Sequence, residues 1–169
     1  MQRHDESRLE VAVLAGGCFW GVEDILRDVK GVVDTEVGYT GGTLESPTYA
    51  KVHGGATGHA EAVRITFDPS LLSYEDLLEQ WFFKLHDPTT LNRQGNDVGT
   101  EYRSAIFPLT AEQKVVAERV RARVDASHKW YGPLTTSIEP ALAWYSAEAD
   151  HQDYLRKHPG GYSCHFMRE

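Results

Sequence analysis

The stretch from residue 10 to residue 31, EVAVLAGGCFWGVEDILRDVKG, predicts a strand, a tight turn and a helix. Residues 10–15 form a mainly apolar run with β-branched members, which is typical of a buried strand. Gly16-Gly17 interrupts that run. Apolar residues then recur at the spacing of one helix face, namely Val22, Ile25, Leu26 and Val29. Gly31 predicts the end of this helix. We therefore expect Cys18 where the strand turns into the helix.

The sequence beyond this unit continues the alternation of strands and helices. Apolar and polar residues alternate at about 32–39 and 60–67, as in half-buried strands. Ser73 begins a helical pattern that runs to Leu85, and a strand is predicted at 104–107. The resulting order, β-α-β-β-α-β, is that of the ferredoxin-like fold. We predict an α/β (α+β) two-layer sandwich with a mainly antiparallel sheet.

The remaining segments predict peripheral structure and long loops. A helix is expected at 111–126, a strand at 134–139 and a helix at 147–157. Residues 40–58 and 87–103 are polar or glycine-rich and are predicted as loops. Long loops in compact domains are usually functional.

Length and composition indicate a single domain, 1–169, with a core at about 10–158. We expect the C-terminal tail, residues 159–169, to be flexible and to carry Cys164. A net charge of −8 argues against nucleic-acid binding, which needs a basic surface. No apolar run reaches the ~18 residues of a membrane helix. The polar N-terminus contains no secretion signal, so we expect a cytoplasmic protein, and a monomer.

Cys18 is the first candidate for chemistry. Unpaired N–H groups at a helix N-terminus favour an anion, so this position predicts a lowered pKa for the thiol and a reactive thiolate. The alternative is a buried cysteine that packs as a small hydrophobe. Phe19 and Trp20 follow directly, and adjacent helical residues point about 100° apart. One of these two aromatics should therefore lie near the surface, beside the sulfur.

Glu61 shares a strand face with Val63, Ile65 and Phe67. If this face is inward, burial raises the pKa of the carboxyl and suits it to deliver a proton. The alternatives are a glutamate in water at the strand end, or one paired with an arginine.

Further polar residues stand at the ends of the two long loops. Tyr39 and Tyr102 could present hydroxyl groups to a site, and Asp97 lies among glycines. Each tyrosine could equally be an ordinary amphipathic residue. Metal binding is not expected, because the cysteines and histidines do not have the short paired spacings of zinc ligands; those checked are His151, His158, Cys164 and His165.

Together these segments resemble the peptide methionine sulfoxide reductases of the A type. The segments that carry the resemblance are GGCFWG (16–21), GYTGG (38–42), PTY (47–49), GHAEAV (58–63), HDPTTLNRQGNDVGTEYRS (86–104) and ADHQDYL (149–155). The resemblance runs from about residue 10 to 165. It implies reduction of the S epimer of methionine sulfoxide, free and in peptides, without a metal or bound organic cofactor.

The resemblance also implies roles for individual residues. Cys18 is expected to attack the sulfoxide sulfur, and Glu61 to protonate the sulfoxide oxygen. Tyr39 and Tyr102 are similar to hydroxyl groups that bind this oxygen, and Asp97 to a polar residue of the same network. Phe19 and Trp20 resemble the residues that hold the substrate's S-methyl group.

A recycling step follows from the chemistry of the product. The sulfenic acid on Cys18 condenses readily with a second thiol, and Cys164 is the only other cysteine. Thioredoxin, or a similar reductant, would then reduce the disulfide. Two positions differ from many relatives: His53 stands where several have cysteine, and Glu101 where glutamine is frequent.

Two other functions use the same residues. A thiol peroxidase also needs a reactive cysteine, but it has no use for an aromatic pair that holds a methyl group. A redox sensor would let Cys18 and Cys164 pair without turnover.

Overall fold

The structure, a computed structural model, describes residues 8–130 and 132–168. Within these residues six strands form one sheet and two short strands form a hairpin. The strands in chain order are β1 (Glu10–Gly16), β2 (Val32–Thr40), β3 (Ala60–Phe67), β4 (Arg93–Gln94), β5 (Asp97–Val98), β6 (Ser104–Ile106), β7 (Ser137–Ile138) and β8 (Tyr145–Ser146). The sheet order is β7-β6-β1-β3-β2-β8, and β4 pairs with β5. The sheet is mixed, because β6 and β7 are parallel while its other pairs are antiparallel.

Helices connect these strands and cover the sheet. They are α1 (Phe19–Leu26), α2 (Tyr49–His53), the continuous helical segment α3 (Tyr74–Asp76, Leu77–Phe82, Phe83–Leu85), α4 (Ala111–Ala126) and α5 (Tyr154–Lys157). The middle part of α3 is a π-helix. The hydroxyl groups of Ser73 and Thr110 accept hydrogen bonds from the N–H groups of Asp76 and Gln113, which caps α3, as the sequence predicts, and α4.

The main core lies between the sheet and the helices α1, α3 and α4. Alternation along β3 places Val63, Ile65 and Phe67 in this core, together with Phe19 and Leu26 of α1. Alanines dominate the other face of the central strands, where they pack with Val13 and Phe107. Glu61 has the same parity as Val63 and therefore points to the core face. The fold thus brings the start of β3 close to the start of α1.

Several peripheral predictions were wrong in detail. The segment 40–58 contains α2, and the segment 87–103 contains the β4–β5 hairpin and a 3₁₀ turn at Thr100–Tyr102. The predicted strand at 134–139 is reduced to β7. The predicted helix at 147–157 is divided into a 3₁₀ turn, Ala149–His151, and α5. Asp153 divides it, because its φ of 53° is left-handed and its N–H donates to the Glu23 carboxylate at 2.7 Å.

No helix in the described part of the chain is both long enough and apolar enough to span a membrane.

Candidate active site

Cys18 lies at the predicted junction between β1 and α1. It is the N-cap residue of α1, and Gly17 before it has a φ of 99°, which a residue with a side chain rarely adopts. This turn leads the chain out of the sheet and directly into the helix. Cys18 is a free cysteine with 6% of its surface exposed. The nucleophile candidate is therefore held by rigid elements in a nearly dry position.

Glu61 is buried beside Cys18, so the inward position is the one observed among the three that the sequence left open. Its Oε1 accepts the N–H of Phe19 at 3.2 Å, which ties the carboxyl to the first residue of α1. The pKa of Glu61 is raised to about 8, mainly by burial and also by the negative charges of Glu101 and Asp97, while the Phe19 N–H acts in the opposite direction. The raised pKa is the effect that the sequence analysis expected for an inward-facing carboxyl. Glu101, which stands where glutamine is frequent in relatives, contributes to the raised pKa of Glu61.

The second oxygen of Glu61 has no protein partner. Oε2 is buried and makes no hydrogen bond to any residue in the described part of the chain. Buried polar atoms of this kind are rare and usually mark a place where a ligand or water binds. In the protonated acid, this oxygen can donate a hydrogen bond to an acceptor atom of a bound substrate.

The prediction of a lowered pKa for Cys18 was wrong. Burial raises the pKa of this thiol, and the nearby charge of Glu61 raises it further. The N–H of Trp20 lowers it, but by less. Desolvation therefore outweighs the helix N-terminus. Cys18 and Glu61 both hold their protons at pH 7 in this structure.

Aromatic side chains form a wall next to Cys18. Phe19 is fully buried against Tyr39, whereas Trp20 is half-buried, so the prediction that one of the pair lies near the surface is confirmed. The Trp20 ring stacks on Tyr154, with centroids 3.8 Å apart, and its indole N–H donates to Nδ1 of His151 at 3.1 Å. Because Nδ1 of His151 accepts this hydrogen bond, the N–H of the neutral ring is on Nε2.

Each of the three other predicted polar residues makes a polar contact near Cys18 and Glu61. Tyr39 lies opposite Glu61 in the β2–β3 pair, and its hydroxyl donates to Glu148 at 2.9 Å. The Tyr102 hydroxyl is 3.1 Å from Nδ1 of His53, the residue that replaces the cysteine of several relatives. Burial raises the pKa of both tyrosines, as it does for Asp97, and the charge of Glu61 also raises that of the tyrosines.

The tail brings Cys164 to the opposite side of this region. Cys164 is a half-buried free cysteine, and its Sγ lies 3.8 Å from the Gln94 carbonyl oxygen and 4.0 Å from Oδ2 of Asp97. Its charge contributes to the raised pKa of Cys18, as does that of Asp97. Asp97 therefore lies within electrostatic range of both cysteines.

Comparison with known proteins agrees with this geometry. The sequence signature of the family described as peptide methionine sulfoxide reductase matches residues 10–169. The peptide methionine sulfoxide reductase MsrA 1 of Mesorhizobium japonicum is 57% identical over 159 residues, which are 94% of this chain and 90% of that protein. The chain belongs to the MsrA family of peptide methionine sulfoxide reductases.

Solved structures agree with this MsrA assignment. The crystal structure of Mxr1 from Saccharomyces cerevisiae in reduced form has a TM-score of 0.89 and 36% identity, and covers 99% of this chain and 96% of that chain. Mxr1 in complex with Trx2 has a TM-score of 0.65 and 25% identity, and covers 100% of this chain and 96% of that chain.

Sequence reasoning missed several residues at the pocket of this MsrA chain. Tyr49, at the start of α2, stacks with His151 at a centroid distance of 4.3 Å. Burial raises the pKa of Tyr49 to about 12, and the charges of Glu61 and Cys18 raise it too. Its position in the PTY segment was a usable signal. The sequence contains no such signal for Glu148, because its carboxylate accepts hydrogen bonds from the Tyr39 hydroxyl and the Tyr49 N–H only after the chain has folded.

Proposed function

We propose that this chain reduces methionine S-sulfoxide, free and in proteins, to methionine, and so repairs oxidised proteins. Cys18 is the nucleophile and Glu61 the acid. One observation carries this proposal: a neutral carboxylic acid with an unpartnered oxygen is hydrogen-bonded to the residue next to a free thiol. A sulfoxide oxygen is a poor leaving group until it is protonated, so the reaction needs these two groups together.

The two protons of the resting site support a specific sequence of events. Glu61 donates its proton to the sulfoxide oxygen, and the carboxylate formed in this way accepts the proton of the Cys18 thiol. The sulfur of Cys18 attacks the protonated sulfoxide at its sulfur and forms an S–S bond. The hydroxyl group then moves to the Cys18 sulfur as the substrate S–O bond and this S–S bond break, and the S–S electron pair stays on the methionine sulfur. The substrate sulfur gains two electrons, the Cys18 sulfur loses two, and the products are methionine and a sulfenic acid. One carboxyl thus serves as acid and then as base.

The aromatic and hydroxyl groups at the pocket fit the parts of the substrate. We propose that Phe19 and Trp20 hold the S-methyl group. Tyr39 and Tyr102 bind the sulfoxide oxygen, and Asp97 completes the polar network. The stacked Trp20 ring and the buried Phe19 ring are rigid, which favours a fixed position for a small apolar group.

We propose that Cys164 resolves the sulfenic acid. Its thiol attacks the Cys18 sulfur, an S–S bond forms, the S–O bond breaks, and water leaves with the thiol proton. Two electrons from thioredoxin then reduce the disulfide. The complex of the relative Mxr1 with the thioredoxin Trx2 supports this partner. Such a cycle fits a monomer in a reducing compartment, the cytoplasm, and requires no metal or bound organic cofactor.

We also propose that the catalytic domain has a ferredoxin-like core. The order β6-β1-β3-β2 in the middle of the sheet supports this assignment. The helices α1 and α3 both contribute to the core on one face of these strands. The strands β7 and β8 then extend the core at its two edges.

A chiral substrate tests the proposed function. The chain is incubated with dithiothreitol and a mixture of the R and S epimers of methionine sulfoxide, and both epimers are followed with methionine. We expect consumption of the S epimer alone. Consumption of hydrogen peroxide without methionine formation would support a thiol peroxidase instead, and a disulfide without any turnover would support a redox sensor.

A further inference from the structure

The tail packs against glycines on both sides of Cys18. The ring of His165 lies across Gly17 and Gly21, so that a Cβ built on Gly21 would overlap Nδ1 of His165 and lie 2.6 Å from Oγ of Ser163. A Cβ on Gly17 would lie 3.1 Å from Nε2 of His165. These glycines leave room for the tail.

Gly21 has no local reason to be glycine. It lies inside α1, and its φ is not positive. Glycine in a helix interior is less stable than alanine by roughly 0.5–1 kcal/mol. The missing side chain therefore has a tertiary cause, which is the close approach of His165 and Ser163.

A hydrogen bond fixes the ring of His165 on this glycine surface. Its Nε2 is 2.7 Å from the carbonyl oxygen of Gly16, and because a carbonyl only accepts, Nε2 carries the proton. Burial lowers the pKa of His165 to about 4, so the ring is neutral at pH 7 and keeps this single proton on Nε2.

The residue before His165 is held by the same docking. A Cβ on Gly95, in the turn between β4 and β5, would lie 3.1 Å from Cβ of Cys164. Further along the tail, the Arg168 N–H donates to the Lys84 carbonyl at 3.0 Å. Cys164 thus directly precedes two anchored residues, His165 and Arg168, and lies next to the hairpin that carries Asp97.

We propose that His165 is a positioning residue for the resolving step. Its ring, seated on Gly17 and Gly21 and bonded to the Gly16 carbonyl, keeps Cys164 beside the Cys18 pocket. This role rests on the proposed function, in which the Cys164 thiol displaces water from the Cys18 sulfenic acid. A tethered but unseated thiol would reach the sulfur less often, because proximity and orientation contribute strongly to such reactions.

Two substitutions on opposite sides of the contact test this role. His165→Ala removes the ring, and Gly21→Ala places a methyl group where the ring packs. Each protein is mixed with excess methionine sulfoxide without reductant, and the first methionine and the Cys18–Cys164 disulfide are timed by rapid quench and mass spectrometry. We expect disulfide formation, relative to release of the first methionine, to slow by about 10-fold or more in both.

Matched variants separate positioning from general damage. His165→Gln retains an N–H for the Gly16 carbonyl and should restore part of the rate. Gly132→Ala adds the same methyl group at a position where, its chain neighbours aside, no described residue lies within 4 Å, and this variant should form the disulfide at the rate of the unaltered chain. If Gly21→Ala does not fold, the pair His165→Ala and His165→Gln still decides.

Different results would contradict different proposals. Disulfide formation at the unaltered rate in His165→Ala would overturn the positioning role alone. If the unaltered chain itself forms no disulfide between Cys18 and Cys164, the resolving step of the proposed function is wrong, and the role of His165 is wrong with it. In a Cys18→Ser background, His165→Ala should also speed alkylation of Cys164 by N-ethylmaleimide, and an unchanged rate would show that the ring does not hold the tail.

Discussion

The two cysteines of this chain occupy contrasting surroundings. Cys18 caps α1 at the end of a central strand and is almost inaccessible, in a pocket that Glu61 shares. Cys164 is half-buried on a segment without regular secondary structure, held by side-chain and carbonyl contacts such as that of His165. The first position is built by the sheet and its helix, and the second by a few tail contacts.

This difference matches the demands of the two proposed steps. Attack on a sulfoxide requires a fixed distance between a thiol, an acid and the substrate, and rigid elements provide this geometry. The resolving thiol must reach Cys18 and afterwards present a disulfide to a protein reductant, so the tail that carries it must be able to dissociate from its packing site. A segment of this kind is best held by a small number of weak contacts.

The largest effect is expected for Cys18→Ser. A serine hydroxyl is a far weaker nucleophile than a thiol and cannot take up the oxygen as a sulfenic acid, so we expect no methionine with any reductant. The measurement is methionine release over hours with dithiothreitol. Sustained release above the uncatalysed rate would show that the reaction does not pass through Cys18.

Glu61→Gln should slow release of the first methionine by about 10²–10⁴-fold, the usual contribution of a positioned acid. The amide keeps the shape and the contact with the Phe19 N–H but cannot donate a proton to the oxygen. Because burial raises the pKa of Glu61 to about 8, the unaltered chain should lose activity as pH rises through this value. A pH profile of single-turnover rates checks both statements, and an unchanged rate at pH 7 would dismiss Glu61 as the acid.

Cys164→Ser should separate the first step, at Cys18, from the resolving step, which uses Cys164. The first step does not use Cys164, so we expect about one methionine per chain without reductant, and a sulfenic acid on Cys18 that dimedone labels. Turnover with thioredoxin should be lost, since no disulfide forms. The unaltered chain, which resolves its sulfenic acid, should label weakly, and equal labelling of the two proteins would contradict the resolving role.

The smallest expected effect is on stability. The carboxyl of Glu61 has an ordinary pKa of 4.5 and a native pKa of about 8. Between these values the unfolded chain has released a proton that the native chain keeps, so this group makes the native state less stable as pH rises, by about 1.4 kcal/mol per pH unit. In urea unfolding at pH 5, 6 and 7, the free energy of unfolding of Glu61→Gln should therefore increase relative to that of the unaltered chain as the pH rises. Parallel stability curves would mean that the carboxyl is in water.

Local patterns predicted the elements that form the first region. The run 10–17 and the helical spacing after it located the junction at Cys18, and the alternation along 60–67 placed Glu61 on the core face. Both patterns identify the apolar residues that are buried on folding, and the hydrophobic effect drives this burial. The peripheral elements were predicted less well. The loop with α2 and the divided helix near Asp153 depend on contacts with distant residues such as Glu23.

The sequence by itself determined the order of the central strands and helices, the strand face that Glu61 shares with Val63 and the identity of the two thiols, because these follow from periodicity and residue type. Only the tertiary structure decided the protonation of Cys18, the partners of Tyr39 and Tyr102, and the seat of His165. Charge states and close contacts depend on desolvation and on distances between residues far apart in the chain, as between Gly21 and His165. No local pattern contains those distances.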